Sequence, residues 1–168
     1  MQNAKDTFYE VLRARLAAIN PERTIVLRGV TRPGVVVEEN EMVSAFVLPD
    51  CFRVEWGAVS VESEGAMPVV AMECVVGYET AGTALNAGMD RGRALAAMDG
   101  ELLAAVNACP HHAVKTNYSG LEQGRSSSAM GTSVWWGPVS FGKTAVKKDR
   151  VGRVATVMVM SYQEAGEL

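Results

Sequence analysis

The sequence predicts an α+β fold: a single, mostly antiparallel β-sheet with two main helices packed on it, and a long arm or hairpin before the last strand. Three observations predict it. Residues 67–79 form an apolar run in which Val70, Met72, Cys74, Val76 and Tyr78 alternate with Val69, Ala71, Val75 and Gly77, so that both faces suit a central strand. Leu85, Met89, Leu95, Met98, Leu102 and Val106 then recur at helical spacing. Residues 154–162 close the chain with a second strand dense enough in Val and Met to be central. The whole of 1–168 reads as one domain, large enough for a real core.

Taken in order, the first helix starts near Thr7, where Thr7 and Glu10 have capping-box spacing, and carries Phe8, Leu12, Leu16 and Ile19 as a stripe before Asn20-Pro21 stops it. Residues 24–28 are β-prone, Arg32-Pro33-Gly34 reads as a turn, and Val35–Val37 as a short strand. The acids of Glu38–Glu41 make a solvated turn. Strands follow at 45–48 and 51–56; in the second, Phe52, Val54 and Trp56 alternate with Cys51, Arg53 and Glu55. Residues 59–62 form another strand or the lip of the long one, with a turn at 63–65. After the central strand, residues 80–83 turn into a helix spanning 85–106, with Thr83 as N-cap and Pro110 as its end. Gly88, Gly92 and Gly100 lie inside it, each costing ~1 kcal/mol of helix propensity against Ala. Packing must therefore hold this helix, and Gly92 and Gly100 are expected to tolerate no bulk. Residues 115–133 are poor in hydrophobics, and the stretch 115–152 reads as an extended arm or loop carrying the apolar islands Val134-Trp135-Trp136 and Val139-Ser140-Phe141.

A composition of 48% hydrophobic and 21% charged residues is that of a globular chain. No apolar run reaches the ~20 residues of a membrane span. The N-terminal residues lack a hydrophobic signal core, so export is not expected. Cys51, Cys74 and Cys109 are an odd number in apolar contexts and are expected as reduced thiols. The net charge of −3 is unevenly placed. Residues 38–79 hold Glu38, Glu39, Glu41, Asp50, Glu55, Glu62, Glu64, Glu73 and Glu79 against Arg53, whereas 115–153 hold Lys115, Arg125, Lys143, Lys147, Lys148, Arg150 and Arg153 against Glu122 and Asp149.

Residues 137–144 satisfy G-x-x-x-x-G-K-[ST], in which glycines wrap phosphate, Lys143 reaches it and Thr144 holds magnesium. The context opposes that reading, because residues 145–152 are too short and too charged for the long helix such a loop must enter. Cys109-Pro110-His111-His112 offers at most three metal donors with no second cluster, and reads as a helix C-terminus carrying imidazoles. A Cys–His pair for catalysis lacks an oxyanion loop, and Ser126–Ser128 reads as linker. No catalytic residue, cofactor or metal is expected. Trp135 and Trp136, large aromatics in a polar segment, are expected to dock on a partner or neighbouring subunit, or else back onto the core. The bases are too few and lack interleaved aromatics, so sequence-specific nucleic-acid binding is not expected.

The order of a first helix ending in Asn20-Pro21, a β-rich acidic segment, the strand 69–79 ending in Gly77-Tyr78-Glu79, a polar turn, a helix 85–106 with Asp90 and Arg91 early, an arm and the strand 153–162 resembles the tail terminator (tail completion) proteins of long-tailed bacteriophages. The resemblance covers most of the chain as layout, with no invariant motif. It implies a non-catalytic virion protein, assembled in the host cytoplasm, that forms a homo-hexameric ring on the tail tube and offers a docking face to the head–tail connector. The implied partners are further copies of itself, the tail tube protein and the connector. A cyclic ring joins unlike patches, and Trp135, Trp136, Lys143, Lys147, Lys148, Arg150 and Arg153 are the candidate interface, the bases meeting a neighbour's acidic segment. The alternatives are another neck or tail-tube component, a small dimeric binding module, and an enzyme using the 137–144 loop.

Overall fold

A computed structural model describes all residues except 42–47, 64–66, 121–123, 165–166 and 168. The strand expected at 45–48, the turn at 63–65 and Glu122 fall wholly or partly outside the described residues. The elements are α1 (Gln2–Ile19), β1 (Thr24–Leu27), β2 (Val30–Pro33), β3 (Val35–Val37), a one-turn helix α2 (Glu38–Glu41), β4 (Phe52–Val61), β5 (Val69–Thr80), α3 (Arg91–Asn107), β6 (His112–Asn117), β7 (Ser128–Phe141), β8 (Ala145–Lys147) and β9 (Arg150–Tyr162). The main sheet runs β3-β4-β5-β9-β7-β6, with β8 also on β9. Every pairing in it is antiparallel except β3 with β4. This is the α+β architecture the sequence predicts, with β5 and β9 central.

The two helices cover one face of the sheet. Phe8, Leu12 and Leu16 of α1 and Leu95, Met98, Leu102 and Val106 of α3 bury against Met72, Cys74 and Val76 of β5, Val157 and Val159 of β9, and Val134 and Trp136 of β7. Arg15 of α1 donates to the carbonyls of Ala105, Ala108 and Pro110 at 3.0, 2.7 and 2.6 Å. It thereby satisfies acceptors that the end of α3 leaves without partners. Arg23 and Asn20 both bind the Glu101 carboxylate, at 2.7 and 2.8 Å, and fix the far end of α1 to α3.

Several boundaries differ from expectation. Helix α1 begins at Gln2, and the Thr7 hydroxyl is inside it, donating to Asn3 O at 2.6 Å and accepting from Thr116 N–H at 3.0 Å. Thr7 thus ties α1 to β6 instead of capping. Ile19 ends the helix exposed. The first hairpin turns at Arg28-Gly29, both at positive φ (51° and 80°), the geometry of a two-residue hairpin loop, and not at Arg32-Pro33-Gly34. Strand β4 is one strand through 59–61, with a bulge between Trp56 and Val59. Glu38–Glu41 is not simply a solvated turn: Glu41 pairs with Arg32 at 2.5 Å and accepts from Tyr9 Oη at 2.7 Å.

Residues 115–152 take the hairpin form of the two anticipated. β7 pairs with β9 from Val134, opposite Ser161, to Phe141, opposite Ala155, and β8 folds back onto the start of β9. The low hydrophobic content of this stretch reflects strands with only one face in the core.

The second helix begins six residues late. Residues 84–86 form a 3-10 turn, Ala87 and Gly88 have φ of 48° and 77°, and α3 starts only at Arg91. Leu85 and Met89 therefore leave the helical stripe and stand 98% and 90% exposed. Gly92 and Gly100 face open space, since a Cβ at either would meet no atom within 4 Å. The expectation that they notch a packed interface is corrected.

Candidate functional site

The cysteines and histidines do not assemble a reactive centre. Burial pushes the Cys51 thiol up to about 11 and raises that of Cys74 further. Cys109 is exposed with its sulfur 3.9 Å from His111 Nε2. His111 Nε2–H donates to Asn107 O at 2.9 Å, closing the last turn of α3. No group of three or more His, Cys, Asp or Glu able to hold a metal occurs among the described residues. None of the helices described is long and apolar enough to cross a membrane.

Three features remain on the surface. The first is the sheet face away from the helices. Cross-strand pairing places Ala71 beside Met160, Glu73 beside Met158, Val75 beside Thr156, Gly77 beside Val154 and Trp135 beside Met160 on that face. Val154, Met158 and Tyr162 are exposed there. Among the described residues, Ile25 of the β1–β2 hairpin packs with Val36 and Cys51 over its β3 margin. The second is the loop 81–90, which presents Leu85 and Met89. Asp90 clasps it: its carboxylate accepts from Thr83 N–H at 2.9 Å, from Thr83 Oγ1 at 2.8 Å and from Asn86 Nδ2 at 3.3 Å. Those bonds, led by the Thr83 amide, lower the Asp90 pKa to about 2. These bonds tie the loop together, yet its two largest side chains touch little.

The third is a cavity of about 140 Å³ beneath β8, walled by Arg53, Glu79, Lys143, Lys147, Arg150 and Arg153. Glu79 is buried and receives Arg150 at 2.7 Å and Lys147 at 3.8 Å. Arg153 lies 3.4 Å from Asp99 and donates to Thr144 Oγ1 at 2.9 Å. Arg53 is paired with Glu55.

The residues singled out in the sequence are thus partly gathered and partly separated. Lys143, Lys147 and Arg150 line the cavity together, whereas the Arg153 side chain turns to the helix face, toward Asp99. Lys148 lies beside it on the β8–β9 turn, its carbonyl accepting from Arg91 Nη1 at 3.4 Å. Trp135 stays on the open face, its ring 5.3 Å from that of Tyr162. Trp136 does not: at 5% exposure it is core, 5.3 Å from Phe8, under the Arg15 guanidinium, with Nε1–H donating to Val106 O at 3.1 Å. The two tryptophans are neighbours on a strand, so one face each was inevitable. The bases are also less free than expected, because Arg150 and Lys147 already meet Glu79 of the acidic segment within the same chain. Residues 137–144 lie on the end of β7 and the loop into β8, so Lys143 enters a strand and no phosphate-binding helix. Arg53 and the Leu85–Met89 pair were missed as site residues. A glycine at 82 and another at 88 flanking Leu85 were the available signal for a loop.

No family model and no curated protein matches this chain, so what it does must be argued from its own surfaces.

Proposed function

We propose that this chain is a non-catalytic structural virion protein, a tail terminator that forms a ring on the end of a phage tail tube and joins it to the head connector. The observation that carries the reading is the pair of unlike apolar surfaces on one chain. The clasped loop projects Leu85 and Met89, and the open sheet face presents Met158, Tyr162 and half-buried Trp135. Surfaces of this kind are costly to leave in water, and the sheet face is continuous over neighbouring strands. Two different patches meeting head to tail generate a ring when the rotation closes. The charges agree with that pairing. Arg91 and Lys148 adjoin the loop, with Asp149 beside them, and Glu55 and Glu73 sit on the open face. The occupant proposed for each patch is therefore the other patch on a second copy.

Sedimentation and electron microscopy, alone and with assembled tail tube, test this. The wild-type chain is expected to form rings and to stop tube elongation. Leu85→Asp with Met89→Asp should leave the fold intact and yield monomers, because neither side chain has contacts to lose. A chain that stays monomeric at every concentration and leaves tube growth unchanged would falsify the reading.

A further inference from the structure

We infer that the cavity over Gly77 is a socket for one apolar side chain, Met89 of a second copy. This contact rests on the head-to-tail pairing proposed above and fixes where in the open face the loop lands.

Strand register makes the cavity a pit in that face. Arg53, Gly77 and Val154 lie side by side across β4, β5 and β9, and Glu79, Gly152 and Ala145 lie side by side across β5, β9 and β8. Residues opposite one another on a ladder share a face, and so do residues two apart on a strand, so Gly77, Gly152 and Ala145 give the pit a floor without bulk. The two glycines differ. At Gly152 a Cβ would lie 2.8 Å from Tyr78 O, so the close approach of the strands requires glycine there. At Gly77 a Cβ would meet nothing within 4 Å. The register through Gly77 is regular on both sides, so no bulge calls for it either. A glycine inside a strand weakens it, and one without a bulge or bend marks a place where another group approaches closely.

The space and the loop match. A dry cavity of ~150 Å³ takes one benzene-sized group, so about 140 Å³ holds a single side chain and no peptide segment. Met89 stands 90% exposed on the loop, and its unbranched thioether adapts to an irregular pocket better than branched Leu85 does. Charge favours it as well. Asp90 follows Met89, and Lys143 on the wall of the pit makes no ion pair among the described residues. Glu79 on the same wall is already matched by Arg150 and Lys147, so it does not compete for Lys143. The loop joins β5 to α3 on the helix side of the sheet, whereas the pit opens on the other side. Knob and pit of one copy therefore point apart, which is the arrangement of a head-to-tail contact.

Sedimentation of the whole chain over a range of concentrations reads the contact as an association constant. Gly77→Val fills the pit from its floor and Met89→Ala shortens the knob, and each should weaken assembly roughly tenfold or more. The double variant should be no weaker than either single one, because both changes remove the same contact. Leu85→Ala should weaken assembly less. Thermal unfolding of Gly77→Val is expected to match wild type. Assembly unchanged in Met89→Ala, whose exposed side chain has no fold to disturb, overturns the socket whatever Gly77→Val does. Losses that add in the double variant overturn it too, and both results leave the ring itself standing. A wild-type chain that never assembles overturns ring and socket together.

Discussion

The ε-ammonium of Lys115 and the carboxylate of Glu167 lie 2.7 Å apart with both side chains sealed from solvent. The same ammonium donates to Tyr162 O at 2.5 Å and stands 3.6 Å from Glu164. A charge from β6 thereby anchors the segment after β9. Removing Lys115 leaves Glu167 with the half-exposed N-terminal ammonium, 3.2 Å away, as its remaining cation, and breaking a buried pair costs up to ~3–5 kcal/mol. Lys115→Met should therefore destabilise strongly, and Lys115→Met with Glu167→Gln should recover much of the loss. Denaturant unfolding of the single and double variants measures this. A single variant as stable as wild type would mean that water reaches the pair.

The adjacent tryptophans should separate two properties. Trp136→Ala removes a core ring that packs on Phe8 and should cost ~3–5 kcal/mol of stability. Trp135→Ala, on the open face, should cost far less and should weaken assembly. Unfolding and sedimentation of both variants check the split. Equal losses of stability would place Trp135 in the core as well.

Glycine substitutions in α3 should stabilise. Gly92→Ala and Gly100→Ala add helix propensity with no clash, worth ~0.5–1 kcal/mol each. Gly82→Ala should do the opposite, since its φ is 74° and a Cβ would lie 2.6 Å from Asp90 Oδ1. Thermal midpoints of the three variants suffice to decide.

The Asp90 clasp should open with acid. Its carboxyl has an ordinary value of 3.8 and is lowered to about 2 in the fold, first by the Thr83 amide. A lowered carboxyl contributes stability that is complete above 3.8 and is lost as pH falls through about 2. Amide exchange at residues 83–90 should accelerate across that window, while Asp90→Asn should exchange quickly at every pH. Exchange that does not change with pH in wild type would show that the glycine turns alone hold the loop.

The sequence by itself determined the sheet-and-helix class, the central places of β5 and β9, the alternation of Phe52, Val54 and Trp56, and the inward stripes of both helices from Phe8 to Leu16 and from Leu95 to Val106. Alternation and helical spacing are local properties, and a covered strand or helix must write them into neighbouring residues. Tertiary structure alone decided where those patterns stop. Leu85 and Met89 keep helical spacing but fall outside the helix, because Ala87 and Gly88 turn left-handed and Asp90 ties back to Thr83. Trp136 is core and Trp135 is not, because α1 lies over only one face of β7. Lys115 is the most deeply placed charge described, for its partners come from the far end of the chain. Arg53 and Lys143, ninety residues apart, line one cavity because β4, β5 and β9 lie side by side. Burial and charge pairing depend on which layer lands above a residue, and spacing along the chain carries no record of that.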